Sequence, residues 1–427
     1  MRIARSRLIG PDGNEAYGAF AVALSFFVFA YSFRFGQVSI LAYYALWLPL
    51  IAVDYRRVLG NYAHYLYLWL FAFALFACLS VFWSQAPGAT MRTSLQYLSH
   101  VVCALIAMRV VDTRTLVRGG LIGTGLVLFY SLAFGVYHLD PLDGTYSFVG
   151  AFASKNQLGF YASLSVLFAF AALFLGMERG VWRLAAVGCV LVALYCLKAS
   201  QSATSVLTTV AVAGLCLALR ALEMLAPRHR KMLFATLAVL TLGLGLAAVY
   251  GGGFEMVLGV FGKDATLTGR TYLWQQGIAT ASEAPLVGIG YQAFWVQGFA
   301  EAERLWAAFF IAGRSGFHFH NTFIAATVET GLIGCLLLSM VLLGTLSGHL
   351  RRLLSVARDR EALVLFTIAA LLAVRTFVEI DVLNPYHVGS FLLYFAAGKL
   401  TDGRRSEAHR FVTVGRPVRR RQGAVSA

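Results

Sequence analysis

Apolar runs of about 18 to 22 residues recur along the whole chain, and each is long enough, as a helix, to cross a hydrocarbon core about 30 Å thick. That recurrence leaves few choices. With no water in the core to satisfy backbone N–H and C=O groups, each run must close its hydrogen bonds internally, as an α-helix. Composition agrees: of 427 residues, 59% are hydrophobic and 13% charged, too little polar residue to cover a soluble surface. The reading is an all-α polytopic membrane protein, a single integral membrane domain over 1–427. Twelve spans are expected, at 18–33, 38–53, 65–83, 94–111, 115–137, 156–176, 181–198, 203–225, 232–251, 321–347, 361–378 and 386–400. Between the ninth and tenth lies one large loop, 252–320, in which short helices are expected, and a basic tail occupies 401–427.

Charge orients the spans. With the N-terminus inside, 26 of the 35 Lys and Arg fall on cytoplasmic segments, as the positive-inside rule requires, and both termini are then cytoplasmic. The net charge of +15 therefore mostly reports topology. The stretch Arg404 to Arg421 lacks interleaved aromatics and reads as a tail near anionic headgroups, with no nucleic-acid partner. Met1 to Gly18 carries Pro11, Asp12 and Glu15 and no small-residue cleavage site, so the first run is expected to be retained. Six cysteines all fall inside apolar runs and read as packing residues.

The informative cations are the nine left outside: Arg34, Arg92, Lys155, Lys198, Lys263, Arg270, Arg304, Arg314 and Arg375. Lys155 and Asn156 sit at the mouth of a span, where a helix N-terminus favours phosphate but also where a cap and a snorkelling lysine are ordinary. Lys198 to Ser205 is rich in hydroxyls, Ser202 among them, which either satisfy backbone at a helix start or line a carbohydrate wall. Arg270 opens a short helix with Leu273, Trp274, Gly277 and Ile278 on one face. Its guanidinium fork matches phosphate oxygens, and Glu283 or Glu255 is the alternative partner. Phe294, Trp295, Phe299, Leu305, Trp306, Phe309 and Phe310 read as an interfacial aromatic belt.

His318 and His320 alternate with Phe317 and Phe319, so extended backbone puts both imidazoles on one side, next to Asn321. A metal would need a third ligand, which nearby sequence does not show, and none is expected. A neutral imidazole there suits a general base for a sugar hydroxyl. Glu329 lies within a span and calls for a partner, an arginine being the structural choice. Arg375 and Glu379 are spaced to pair at i,i+4, with a phosphate-binding Arg375 as the rival.

In this order, SKNQLG (154–159), SQSATS (200–205), TGRTYLW (268–274), PLVGIGYQAFW (285–295), HFHNTFIAATVETGLIG (318–334) and RTFVEID (375–381) resemble the O-antigen ligase and Wzy-type polysaccharide polymerase superfamily. TGRTYLW, GYQAFW and RTFVEID are closest to its exopolysaccharide polymerase branch. The resemblance implies a metal- and cofactor-independent glycosyltransferase of the bacterial inner membrane, its site facing the periplasm. Its donor would be an undecaprenyl-diphosphate-linked oligosaccharide, and a chain-length regulator or export complex the expected protein partner. It also carries the loop arginine onto Arg270 and the catalytic histidine onto His320. One departure stands out: Ala203 occupies a position often basic in the ligases, which leaves Lys155, Lys198, Arg314 and Arg375 as candidates for a second diphosphate contact. Arg270 and His320 are then catalytic, with Lys155, Asn156, Lys198, Ser202, Arg314, His318, Asn321 and Arg375 against substrate. A ligase acting on another acceptor and a lipid-linked sugar transporter are the alternatives. The scarcity of charge inside the spans argues against transport.

Overall fold

The computed structural model describes residues 6–10, 13–59, 64–139, 144–175, 178–252, 269–314, 316–356 and 358–401. The basic tail beyond Thr401, Glu255 and Lys263 lie outside the described residues.

Helix dominates, as the apolar runs require. After α1 (Ser6–Ile9), α2 (Glu15–Trp47) carries the first expected span and much of the second. Its backbone is non-helical at Tyr31 and Gly36, and there the chain doubles back. Phe29 meets Tyr43 at 5.0 Å between ring centroids, and Trp47 Nε1 donates to Ser25 Oγ at 3.0 Å. The chain continues through α3 (Pro49–Val53), α4 (Tyr55–Leu59), α5 (His64–Leu79), α6 (Pro87–Val110) and α7 (Thr113–Phe134). α7 lies close against α2: a Cβ added at Gly119 would fall 2.6 Å from Val22 Cβ, and one at Gly123 3.0 Å from Ala23 Cα. This G-x-x-x-G spacing lets two backbones approach where apolar burial alone gives no drive between helices in lipid.

The fifth expected span ends early. At Val136 the chain turns into a hairpin, β1 (Val136–Leu139) antiparallel to β2 (Tyr146–Gly150), which hydropathy did not foretell. Then follow α8 (Lys155–Phe174), α9 (Val181–Ser200), α10 (Ala203–Leu222) and α11 (Pro227–Tyr250). The loop contributes α12 (Arg270–Glu283) and α13 (Ala300–Ala308), and the chain closes with α14 (Thr322–Ser355), α15 (Arg360–Arg375) and α16 (Val388–Leu400). Among the described residues eight helices are long and apolar enough to cross a membrane, with Glu15–Val53 taken as one. α5, α15 and α16 are shorter than that. α16 is only about 20 Å long at 1.5 Å per residue, but every residue from Val388 to Lys399 is buried. Surrounded by protein, it need not match the hydrocarbon thickness. The cysteines are free, as expected of packing residues.

The two ends of the bundle differ in chemistry. At one end Arg114 and Arg118 share Glu178, Arg118 also meets Glu15, and Arg352 holds Asp359. There Lys399 Nζ donates to Val111 O at 2.7 Å, and Arg230 Nη1 to Val356 O at 2.9 Å. At the opposite end the N-termini of α8, α10, α14 and α16 meet the C-terminus of α15 and the 269–321 loop.

The loop is rooted in a span. Inside α14, Gly331 sits at φ 65°, ψ −174°, and breaks the helix. The groups freed by the break are not left bare. The N–H of Leu332 donates to Pro285 O at 2.8 Å and that of Ile333 to Leu286 O at 3.2 Å. The carbonyls of Val328 and Glu329 accept from Ile289 N and Gly290 N at 3.1 and 2.9 Å. Residues 285–290 thus fill the gap with the hydrogen bonds that a membrane interior demands. Gly331 is required twice, for its positive φ and because a Cβ would overlap the Leu286 carbonyl. Glu329, 2% exposed, lies at this break and accepts from Gln292 N at 3.0 Å through Oε2. A backbone N–H, not the expected arginine, is its partner.

Candidate active site

The site is assembled around a residue that the sequence had paired elsewhere. α15 ends at Arg375, so Glu379 lies beyond the helix and the i,i+4 spacing no longer brings the two side chains together. Arg375 turns inward instead: it is 1% exposed, its Nε meets Asp381 Oδ2, and its guanidinium stacks 4.3 Å over Phe160. Glu379, 5% exposed, faces the loop.

Three elements converge on that carboxylate. From α12, Arg270 Nη2 lies 3.4 Å from Glu379 Oε1, and Nη1 donates to Val378 O at 3.0 Å. From the segment before α14, His320 Nδ1 lies 3.4 Å and His318 Nε2 3.8 Å from Oε2. From α8, Asn156 Nδ2 donates to Oε1 at 2.7 Å. Glu379 is therefore Arg270's partner, not Glu283. Burial alone would raise the Glu379 carboxyl, but His320, Arg270 and His318 together hold it well below the ordinary carboxylate range. Burial first, and the neighbouring His320 next, pull the His318 imidazole down to about 3. At neutral pH the site holds an ionised Glu379 and an uncharged His318.

The loop's aromatics explain how the imidazoles are held. Phe294, Leu305, Trp306 and Phe309 are buried, so most of the expected interfacial belt is an interior wedge; Phe310 alone of the seven is largely exposed. Phe319 packs between Phe294 and Trp295 at 4.8 and 5.1 Å, and Phe317 against Trp295 and Phe309 at 5.2 and 5.1 Å. With both phenyl rings gripped on one side, both imidazoles point to the other, their centroids 4.1 Å apart. His320 adopts a left-handed φ of 51° to enter α14, which histidine tolerates better than branched residues. Leu273, Trp274 and Gly277 of α12 face the bundle, and Trp274 Nε1 donates to Phe319 O at 2.8 Å, whereas Ile278 points outward.

The remaining expected contacts divide. Asn321 caps α14, its Oδ1 accepting from Phe323 N and Ile324 N at 3.0 and 3.1 Å, while Nδ2 donates to Phe377 O. Ser202 caps α10 and donates to Asn156 Oδ1 at 2.9 Å, which brings it into the site's second layer. Lys155 opens α8 beside Asn156, with Nζ 2.9 Å from Thr145 Oγ1. Arg314 is paired with Glu303 out on the loop at 3.2 Å, and Lys198 is exposed in the last turn of α9. Neither is among the groups that meet Glu379. Arg304 binds Tyr272 and Gln276, fastening α13 to α12.

His318, His320 and Glu379 also supply the third metal donor that neighbouring sequence lacked, with ligand atoms within 4.8 Å of one another. His318 Nδ1 accepts from His320 N at 3.1 Å, so the neutral ring carries its proton on Nε2, the nitrogen turned toward Glu379.

A helical membrane bundle thus gathers an arginine and two histidines around one carboxylate at its mouth. A family model described as O-antigen ligase matches residues 164–339. Over 408 residues, 96% of this chain and 93% of the relative, the chain is 66% identical to the exopolysaccharide production protein ExoQ of Rhizobium meliloti (strain 1021). The chain belongs to this O-antigen ligase family, alongside that exopolysaccharide production protein. Arg270, His318 and His320 lie within the matched stretch; Asn156 and Glu379 lie outside it.

Proposed function

We propose that this protein polymerises exopolysaccharide, moving a glycan from an undecaprenyl-diphosphate carrier onto a sugar hydroxyl of another lipid-linked unit, without a metal. The relative's printed name, exopolysaccharide production protein, favours polymerisation over ligation to a separate acceptor. The observation that carries the reading is the convergence of Arg270, His318 and His320 on buried Glu379.

Glu379 faces Nδ1 of His320 and favours the tautomer with its proton there. Nε2 then keeps a lone pair for the acceptor hydroxyl, as in carboxylate–histidine pairs generally. His320 takes the hydroxyl proton as the acceptor oxygen bonds to the sugar's anomeric carbon. The bond from that carbon to the carrier phosphate breaks in the same displacement, which inverts the centre. Arg270, with donors beyond those given to Glu379 and Val378, takes up the charge that develops on the diphosphate. A diphosphate leaves as a stable anion, so no general acid is needed, in contrast to glycosidase carboxylate pairs. The arginine-rich end of the bundle supports twelve spans with cytoplasmic termini, and a site at the other end then opens to the periplasm of the inner membrane.

The test is elongation of lipid-linked repeat units by the protein in proteoliposomes. His320→Ala and Arg270→Ala should each abolish it; elongation retained in both overturns the reading. Polymer left on the carrier lipid indicates a polymerase, and transfer to an added lipid A core a ligase.

A further inference from the structure

Arg375 was a candidate to hold phosphate, but at 1% exposure beneath Phe160 it reaches no substrate. It does reach Glu379 indirectly. Its Nη1 lies 3.2 Å from Ser205 Oγ, that oxygen 3.0 Å from Ser202 Oγ, Ser202 Oγ 2.9 Å from Asn156 Oδ1, and Asn156 Nδ2 2.7 Å from Glu379 Oε1. We infer that Arg375 is a positioning residue, acting through this relay to orient the Glu379 carboxylate toward His320. The inference rests on the proposed role of Glu379.

The two charged ends constrain the groups between them. A guanidinium donates and never accepts, and an ionised carboxylate accepts and never donates. Asn156 must therefore turn its NH2 to Glu379, because the flipped amide would set oxygen against carboxylate. Its Oδ1 then needs a proton from Ser202. Ser202 Oγ is also the donor toward Ser205 Oγ, whose oxygen takes the N–H of Arg375, so the single Ser202 proton is shared between Asn156 Oδ1 and Ser205 Oγ. Ser202 and Ser205 are 2% and 0% exposed, so water does not compete. The close approach that permits the relay is made at Gly159 of α8, where a Cβ would come 2.7 Å from Ser205 Cβ and 3.1 Å from Ser202 Cβ. At the far end Asp381 fixes the guanidinium through Nε, and His387 Nε2 lies 3.8 Å from the other Asp381 oxygen.

The experiment uses the full chain in proteoliposomes with a lipid-linked donor, reading kcat, donor KM and thermal stability. Ser205→Ala removes one link without touching the α10 cap, Asn156 or Arg375. Arg375→Lys keeps the charge but cannot reach both Asp381 and Ser205. Both should lower kcat about tenfold to a hundredfold, the usual scale for groups that orient a catalytic side chain, with donor KM nearly unchanged. Ser202→Ala should fall likewise and Ser202→Thr, which restores the hydroxyl, should recover. A raised donor KM at full kcat in Arg375→Lys makes Arg375 a phosphate contact and overturns the inference. So does full kcat in Ser205→Ala. Either result leaves the loss in His320→Ala untouched, so this inference and the proposed function fail separately.

Discussion

Glu379→Gln isolates the charge at the centre of the site with little change of volume. The amide oxygen should stay at Oε1, where it accepts from Asn156 at 2.7 Å and Arg270 at 3.4 Å. That orientation places the NH2 at the Oε2 position, 3.4 Å from His320 Nδ1. A donor now faces a nitrogen whose partner had been an acceptor, and the ring should shift its proton to Nε2, losing the lone pair proposed for the acceptor hydroxyl. The lost attraction can be bounded. Unit charges 3.4 Å apart interact by about 5 kcal/mol at an effective dielectric of about 20. At about 1.4 kcal/mol per tenfold in rate, that is a ceiling of between three and four decades. The contact is longer than a good hydrogen bond and His320 keeps 20% side-chain exposure, so a loss of about 10²- to 10³-fold in kcat is expected. Donor KM should fall slightly, because removing the anion frees Arg270 for the diphosphate. The assay is single-turnover elongation in proteoliposomes, with thermal stability measured on the same preparation. Activity within about threefold of the parent protein, in a stably folded variant, refutes the dyad.

Other perturbations test the scaffold and the electrostatics. Gly331→Ala should strain the junction of α14 with residues 285–290 and lower thermal stability by about 2 kcal/mol or more, read by heat-induced aggregation in detergent. His318→Gln should leave the shape of the pH–rate profile unchanged between about pH 5 and 8. With its ring held down to about 3, His318 gains its proton only below that window; a moved acid limb would contradict this. Trp274→Phe removes the bond to Phe319 O and should cost about 1 kcal/mol of stability, with lower kcat at unchanged expression.

Legibility in the sequence followed the range of the interaction. The apolar runs marked the helices because backbone satisfaction in lipid is local to each segment. The FHFH alternation likewise placed two imidazoles together because alternation along a short stretch of chain is a local property. Glu379 was hidden for the opposite reason. Its spacing from Arg375 looked complete by the i,i+4 rule, and only the end of α15 at Arg375 cancels that rule. Nothing near it in the chain announces Arg270 or His320, which arrive from 109 and 59 residues away. The buried wedge of Phe294, Trp306 and Phe309 shares a composition with an interfacial belt, and composition cannot say which way a ring faces. The hairpin at Val136–Gly150 was masked by the apolar run it continues.

The gap in α14 has a bearing on how such enzymes can be recombined. Because four main-chain bonds splice 285–290 into the break, the loop cannot be exchanged between relatives as a detachable cassette. A working chimaera would have to inherit the loop together with the Thr322–Ile333 portion of the span that receives it. Crossovers placed at the apparent loop boundaries should yield protein that inserts but does not mature.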